Sequence, residues 1–251
     1  MKKNKQSWTP LNLAELIYTA SEKYAGNEAL KYRIGHHYES LTYNELKEEI
    51  VKLAQALREL GIRQKDKAIV FSENRPEWVI TDLALVTLGV INVPIHNVLS
   101  AQQLATIIKE IKPKVIFFSD HDLALKLLDI ADVIAEIPQL ISYEKIPLKG
   151  LGRVKYFKKL IDEVEVGQDE QAGLIKTALK IKPDDVATII YTSGTTGHFK
   201  GVQLTHRNFI FDLTSVLKYV GVTSEDRFFS ILPLSHVFER TVGYYIPLYC
   251  G

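Results

Sequence analysis

From Thr42 onward the apolar residues Leu46, Ile50, Leu53, Leu57 and Leu60 recur at intervals of 4, 3, 4 and 3. That spacing predicts a helix with one buried face. Thr42 followed three residues later by Glu45 marks its start as a capping box, and Gly61 closes it. Two short strands, Glu28 to Arg33 and His37 to Leu41, precede it and turn near Gly35. Lys67 to Ser72 reads as a strand, and Pro76 suits the first turn of a helix running to Gly89. That helix is apolar nearly all round, through Trp78, Val79, Ile80, Leu83, Ala84, Leu85, Val86 and Leu88, so it belongs inside the core. Strands at Val90 to Ile95, Lys114 to Ser119 and Gln139 to Tyr143 alternate with two helices. One opens at Ser100 with Gln103 and ends before Pro113; the other covers Asp122 to Ala135.

Short, continuously apolar strands alternating with helices predict an α/β fold, a mostly parallel sheet with helices on both faces. Residues 144–183 break the rhythm. They are charged and mixed, with helices expected near Phe157 to Val164 and Glu170 to Ala178, and they read as a surface excursion. Val186 to Thr192 resumes the sheet, and Arg227 to Leu232 reads as a later strand.

Composition narrows the classes. The chain has 251 residues, 46% apolar and 24% charged, which suits a globular protein of one or two domains. With 31 Lys and Arg against 30 Asp and Glu, the net charge of +1 gives no general attraction to nucleic acid or anionic membranes. The single cysteine, Cys250, excludes an intrachain disulfide and fits a reducing, cytoplasmic setting. His36 and His37 stand alone, so no metal cluster is evident. The N-terminus is basic without an apolar run, so no signal peptide is expected. Asp82, Asn92 and Pro94 interrupt the longest apolar region, Val79 to Ile95, which reads as core rather than membrane span.

The most telling stretch is Tyr191 to Val202, Tyr-Thr-Ser-Gly-Thr-Thr-Gly-His-Phe-Lys-Gly-Val. Between Thr192 and Gly201, eight of ten residues are Ser, Thr, Gly or Lys. A loop of this kind, following a buried strand and preceding a helix from Thr205, offers hydroxyls and closely approaching N–H groups to an anion, with Lys200 supplying charge. A polyphosphate is the natural guest; a solvated Ser/Gly turn is the plainer alternative. The mononucleotide P-loop does not fit, since Phe199 and Val202 stand five residues after Gly194 and Gly197, and no Gly-x-Gly-x-x-Gly is present. A second cluster is Leu232 to Arg240, Leu-Pro-Leu-Ser-His-Val-Phe-Glu-Arg. His236 at a helix start there could orient a carboxylate, or could simply cap or pack.

These stretches together resemble the adenylate-forming acyl-CoA synthetases over nearly the whole chain. Tyr191 to Val202 is similar to that family's phosphate motif, Tyr-Thr-Ser-Gly-Thr-Thr-Gly-x-Pro-Lys-Gly-Val, with Phe199 in place of the Pro that would fix φ. Glu73 to Trp78, Val93 to Ile95 and Leu232 to Glu239 add support, and His236 to Thr241 looks most like the long-chain fatty-acid branch. The resemblance implies the N-terminal portion of an AMP-binding domain, residues 1–251, and a two-step ligation using ATP, Mg²⁺ and coenzyme A. A fatty carboxylate would attack the α-phosphorus of ATP and release pyrophosphate, and the thiol of coenzyme A would then displace AMP. By motif position Ser193, Gly194, Thr195, Thr196, Gly197 and Lys200 would hold the β- and γ-phosphates. Thr192 would contact Mg²⁺, and His236 with Lys200 would serve catalysis at the junction with the acyl pocket.

The family's later adenine- and ribose-binding segments, hinge and C-terminal lysine have no counterpart here. The apolar end Tyr244 to Gly251 reads as a cut through a larger domain, leaving a surface for the missing part of the same chain, and the isolated chain is expected to be inactive. Peripheral membrane contact stays open. So do three other functions: a ligase of the same superfamily acting on another acid or on a carrier protein, a non-catalytic nucleotide-binding module, and, more weakly, a kinase-like phosphotransferase.

Overall fold

The chain can cover both sides of its apolar strands only by sandwiching the sheet between helices, and the computed structural model has this arrangement. It describes residues 8–146, 150–151, 154–193 and 199–251. Helix α1 (Leu13–Lys23) leads to a separate hairpin of β1 (Glu28–Ile34) and β2 (His37–Thr42), then α2 (Tyr43–Glu59). Next come β3 (Lys67–Phe71), α3 (Pro76–Leu88), β4 (Ile91–Ile95), α4 (Ala101–Ile111) and β5 (Val115–Phe118). Helices α5 (His121–Leu128) and α6 (Ala131–Ile134) precede β6 (Gln139–Ser142), β7 (Val154–Tyr156), α7 (Phe157–Glu163) and α8 (Gln168–Ala178). Then follow β8 (Val186–Ser193), β9 (Phe199–Thr205), α9 (His206–Val216), a π-helix over Glu239–Tyr245, and α10 (Ile246–Cys250).

Seven strands form one sheet in the order β7-β6-β5-β3-β4-β8-β9, parallel except for the antiparallel β8–β9 pair. Alternate residues serve opposite faces. Ala68, Val70, Val115, Phe117, Ile141 and Ala187 join the core under α1, α2, α3 and α8. Ile69, Phe71, Val93, Ile95, Ile116, Phe118 and Ile189 pack against Leu104, Ile107, Ile108 and Ile111 of α4. The doubly covered parallel sheet is therefore as the sequence predicts, and α3 is buried along most of its length. Both capping boxes form: Glu45 donates its N–H to Thr42 Oγ1 at 3.2 Å, and Gln103 does the same to Ser100 Oγ at 3.3 Å. Gly89 ends α3 at φ +65°, where a side chain would be strained and would also strike Gln64.

Four expectations need correction. The described part of 144–183 is no surface excursion: β7 extends the sheet beside β6, and Phe157, Ile161, Leu174 and Ala178 are buried in the main core. The helix expected over Asp122 to Ala135 breaks into α5 and α6. Arg227 to Leu232 forms no strand, because its main chain meets no partner strand among the described residues; Phe229 and Ile231 are 83% and 73% exposed. The apolar end is covered from within the chain: Ile246, Leu248, Tyr249 and Cys250 are buried, and Tyr43 Oη donates to the Leu248 carbonyl at 3.1 Å. Among the described residues no helix is long and apolar enough to cross a membrane.

Candidate functional site

Strand order reverses around β3: the chain passes from β3 to β4 on one side, then to β5 on the other. Open α/β sheets hold ligands outside the carboxyl ends of strands at such a point. Ser72, Glu73 and Asn74 follow β3 there, and Ser119 follows β5, its hydroxyl donating to Glu73 Oε2 at 2.6 Å. Asn74 ties this edge to the His236 segment. Its Nδ2 donates to Ser230 Oγ at 2.9 Å and to the Leu232 carbonyl at 2.7 Å, and its Oδ1 accepts the Leu234 N–H at 2.8 Å. Three hydrogen bonds from one side-chain amide hold a segment that has no sheet partner among the described residues. Between them lies a cavity of about 290 Å³ whose walls include Ser72, Glu73, His96, Pro233 and Ser235. A second cavity of about 310 Å³ lies between the β1–β2 hairpin, residues 222–230 and Tyr244, and Asn74 and Ser230 border both.

The same sheet edge carries the end of β8, since β8 runs parallel to β4. The Ser/Thr/Gly stretch connects two antiparallel strands and does not lead from a strand straight into a helix: Phe199–Thr205 is a strand, and α9 starts only at His206, with Thr205 as its cap. Thr192 faces Lys200 across the pair and Ser193 faces Phe199. Phe199 thus takes a strand position where the family motif has Pro. Gly194, Thr195, Thr196 and Gly197 lie outside the described residues, and of Ser193 only its place in the strand is described.

Thr192 and Lys200 are exposed, and Lys200 makes no ion pair among the described residues. A hydroxyl and an ammonium on paired strand positions are a donor set suited to an anion. Gly201 is required beside them, because a Cβ there would lie 2.9 Å from Ile189 Cγ2 and 3.3 Å from the Tyr191 ring. Burial, aided by the nearby Glu110, raises the Tyr191 pKa and keeps its hydroxyl protonated. His236 is exposed, its Nδ1 receiving the Phe238 N–H at 3.3 Å. The structure brings Thr192 and Lys200 together, but no hydrogen bond or ion pair joins either to His236 among the described residues.

Beneath these groups sits a polar network that sequence reading did not find. Arg240 and Asp82 are both fully buried and form an ion pair through Nη2 and Oδ1. Oδ1 also accepts from Asn92 Nδ2 at 2.7 Å, and Oδ2 accepts from Tyr245 Oη at 2.7 Å. Arg240 Nη1 donates to Thr188 Oγ1 at 2.8 Å, and that hydroxyl donates to the Asn92 carbonyl at 2.6 Å. The guanidinium lies 5.3 to 5.7 Å from the ring centres of Phe209, Trp78 and Tyr245. Burial alone would disfavour its charge; the Asp82 carboxylate outweighs that and holds Arg240 cationic. The signal was in the sequence as Asp82 and Asn92 interrupting an apolar run, yet their partner lies 158 residues beyond Asp82. Nearby, burial first and then the Arg240 charge push the His206 pKa down to about 4, against the pull of Asp185. The neutral ring accepts the Leu13 N–H on Nδ1 at 3.3 Å.

Comparisons with known proteins show the family and the fold. Residues 17–251 match the family model described as AMP-binding enzyme. A chloroplastic long-chain-fatty-acid–[acyl-carrier-protein] ligase of Arabidopsis thaliana is 31% identical over 93% of this chain and 33% of its own length. Fatty acyl-CoA synthetase B of Dictyostelium discoideum is 33% identical over 82% of this chain and 31% of its own. An anthranilate CoA ligase solved in complex with anthranoyl-AMP shares the fold, with a TM-score of 0.81 at 20% identity over 96% of this chain and 44% of that one. The chain spans about a third of the length of the curated relatives it matches. With the sheet, the hairpin and the family match in agreement, the chain belongs to the AMP-binding enzyme family of adenylate-forming ligases.

Proposed function

We propose that this chain supplies the polyphosphate grip of an ATP-dependent long-chain fatty-acid–CoA ligase. The observation that carries the reading is the hairpin, which sets the Thr192 hydroxyl opposite the Lys200 ammonium beside a turn rich in glycine and hydroxyl residues, at the carboxyl edge of the sheet. In the first step the fatty carboxylate oxygen bonds to the α-phosphorus of ATP while the bond from that phosphorus to the α,β-bridging oxygen breaks, and pyrophosphate leaves with the electron pair. Negative charge grows on the departing group. Lys200, with the hydroxyls and N–H groups that residues 193–197 carry, would stabilise that charge. Mg²⁺ would neutralise phosphate charge, with Thr192 as its protein contact. In the second step the coenzyme A sulfur attacks the acyl carbon and AMP departs, with His236 lining the approach.

The test is pyrophosphate exchange into ATP by the protein expressed from its complete reading frame. Exchange that depends on palmitate, and falls roughly 100-fold in Lys200→Ala with the fold intact, is the expected result. Exchange independent of any carboxylic acid would overturn the reading. A second reading is favoured by the Arabidopsis relative, whose name gives an acyl-carrier protein as acceptor. Offering the adenylate-forming protein coenzyme A or holo acyl-carrier protein, and following thioester formation, separates the two.

A further inference from the structure

We propose that Arg240 is a positioning residue for this reaction, a buried strut that fixes the phosphate-gripping hairpin relative to the segment bearing His236. The inference rests on the proposed ligase reading and adds a residue to it.

Strand β8 joins the parallel sheet beside β4. Strand β4 pairs with β3 along five residues, Lys67–Phe71 against Ile91–Ile95. On its other side it pairs with β8 at one position, Asn92 opposite Thr188. Pro94, further along β4, has no N–H to extend a ladder. Both members of that pair, on the strand that delivers Thr192 and on its neighbour in the parallel sheet, belong to the Arg240 network.

Arg240 reaches both sides of this seam. One guanidinium nitrogen binds Asp82 on α3, and another binds Thr188 on β8. Thr188 lies four residues before Thr192, so the two point to the same face of β8. Meanwhile the Arg240 N–H donates to the His236 carbonyl at 3.1 Å. One residue thus links α3, the hairpin strand and the helical turn that starts at His236. A planar guanidinium can span two acceptors at fixed geometry, which an ammonium cannot. A fully buried ion pair is weak evidence for stability, and its best-attested use is to fix register. Arg240 stands where register matters, between the proposed phosphate grip and the proposed catalytic histidine.

The experiment uses Thr188→Val, Thr188→Ser and Arg240→Lys in the protein from its complete reading frame, with wild type and Lys200→Ala alongside. Each is assayed for kcat, ATP KM and Tm. Thr188→Val deletes the Arg240 contact with little change of shape and should lower kcat on the order of 10- to 100-fold, with ATP KM within about twofold. Thr188→Ser restores the hydroxyl and should recover most of kcat, although it loses a methyl group from the core. Arg240→Lys should resemble Thr188→Val in kcat. Wild-type turnover in Thr188→Val, or kcat that follows Tm across the series instead of the hydroxyl, would overturn the proposal while leaving the ligase reading standing. If Arg240→Lys does not fold, the two Thr188 variants decide alone. A wild-type protein without acid-dependent pyrophosphate exchange would remove the ligase reading, and this proposal with it.

Discussion

The two flanks of β4 are built on different principles. Toward β3 and β5 the strands are joined by ladders of five and four residue pairs, covered by apolar side chains on both faces. Toward β8 the described residues show one registered backbone pair, and buried side chains add polar links across it: Arg240 to Asp82 and Thr188, Asn92 to Asp82, Thr188 to the Asn92 carbonyl. The segment from Ser230 to Leu234 is likewise held by side chains: Asn74 makes three hydrogen bonds to it, Ser230 Oγ donates to Glu239 Oε1 at 2.8 Å, and Leu234 is buried in the main core. A backbone ladder tolerates changes of side chain because its bonds belong to every residue type. A side-chain seam does not. Substitutions that matter for geometry should therefore concentrate on the β8 side, and the candidate chemistry sits there as well.

The sharpest way to break this contrast is Asp82→Ala. It strands a buried guanidinium and removes acceptors from Asn92 and Tyr245, so a loss of about 3 to 5 kcal/mol is expected in a urea titration. A loss below about 1 kcal/mol would mean the seam is held by something else.

Next in size is a pH effect on the same flank. His206 opens α9 with its folded pKa lowered to about 4, against about 6.5 when unfolded. As pH falls below 6.5 the unfolded chain takes up a proton that the folded chain refuses, so stability present above that pH is progressively lost down to about pH 4. The limiting loss is on the order of 3 kcal/mol. Denaturation midpoints measured from pH 7 to pH 4 should lose this slope in His206→Gln; an unchanged slope would assign it to other groups.

The smallest of the three concerns Asn74→Ala. It leaves the Leu234 N–H and the Leu232 carbonyl without their partner and should cost about 2 kcal/mol, together with faster proteolysis between residues 226 and 236. Unchanged cleavage there would show that the segment does not depend on that amide.

What could be read beforehand follows the same division. Features encoded within a few residues were legible: the boxes at Thr42 and Ser100, Pro76 at a helix start, the apolar strands, the buried α3. The Thr192 to Gly201 stretch could be singled out for the same reason, because its composition is local. Features that depend on distant partners were not. Arg227 to Leu232 has strand-like composition, yet strand formation needs a neighbour, and among the described residues none is present. The hairpin form of Tyr191 to Thr205 depends on β9 returning along β8, which a Ser/Gly-rich turn does not announce. Arg240 followed Glu239 as an unremarkable charged pair, and only the fold brings Asp82 to it.

The π-helix over Glu239–Tyr245 has a consequence for how this sequence can change. Arg240 and Tyr245 are five residues apart, and both grip the Asp82 carboxylate. On an α-helix that separation would set them about 140° apart around the axis, too far for one target. The wider winding, whose hydrogen bonds run from each residue to the fifth beyond, aligns them. Removing one residue from this turn would leave a helix of ordinary appearance with one of the two hands turned away from the acid. Insertions and deletions accepted in neighbouring loops should thus be refused between positions 240 and 245, where spacing itself carries information.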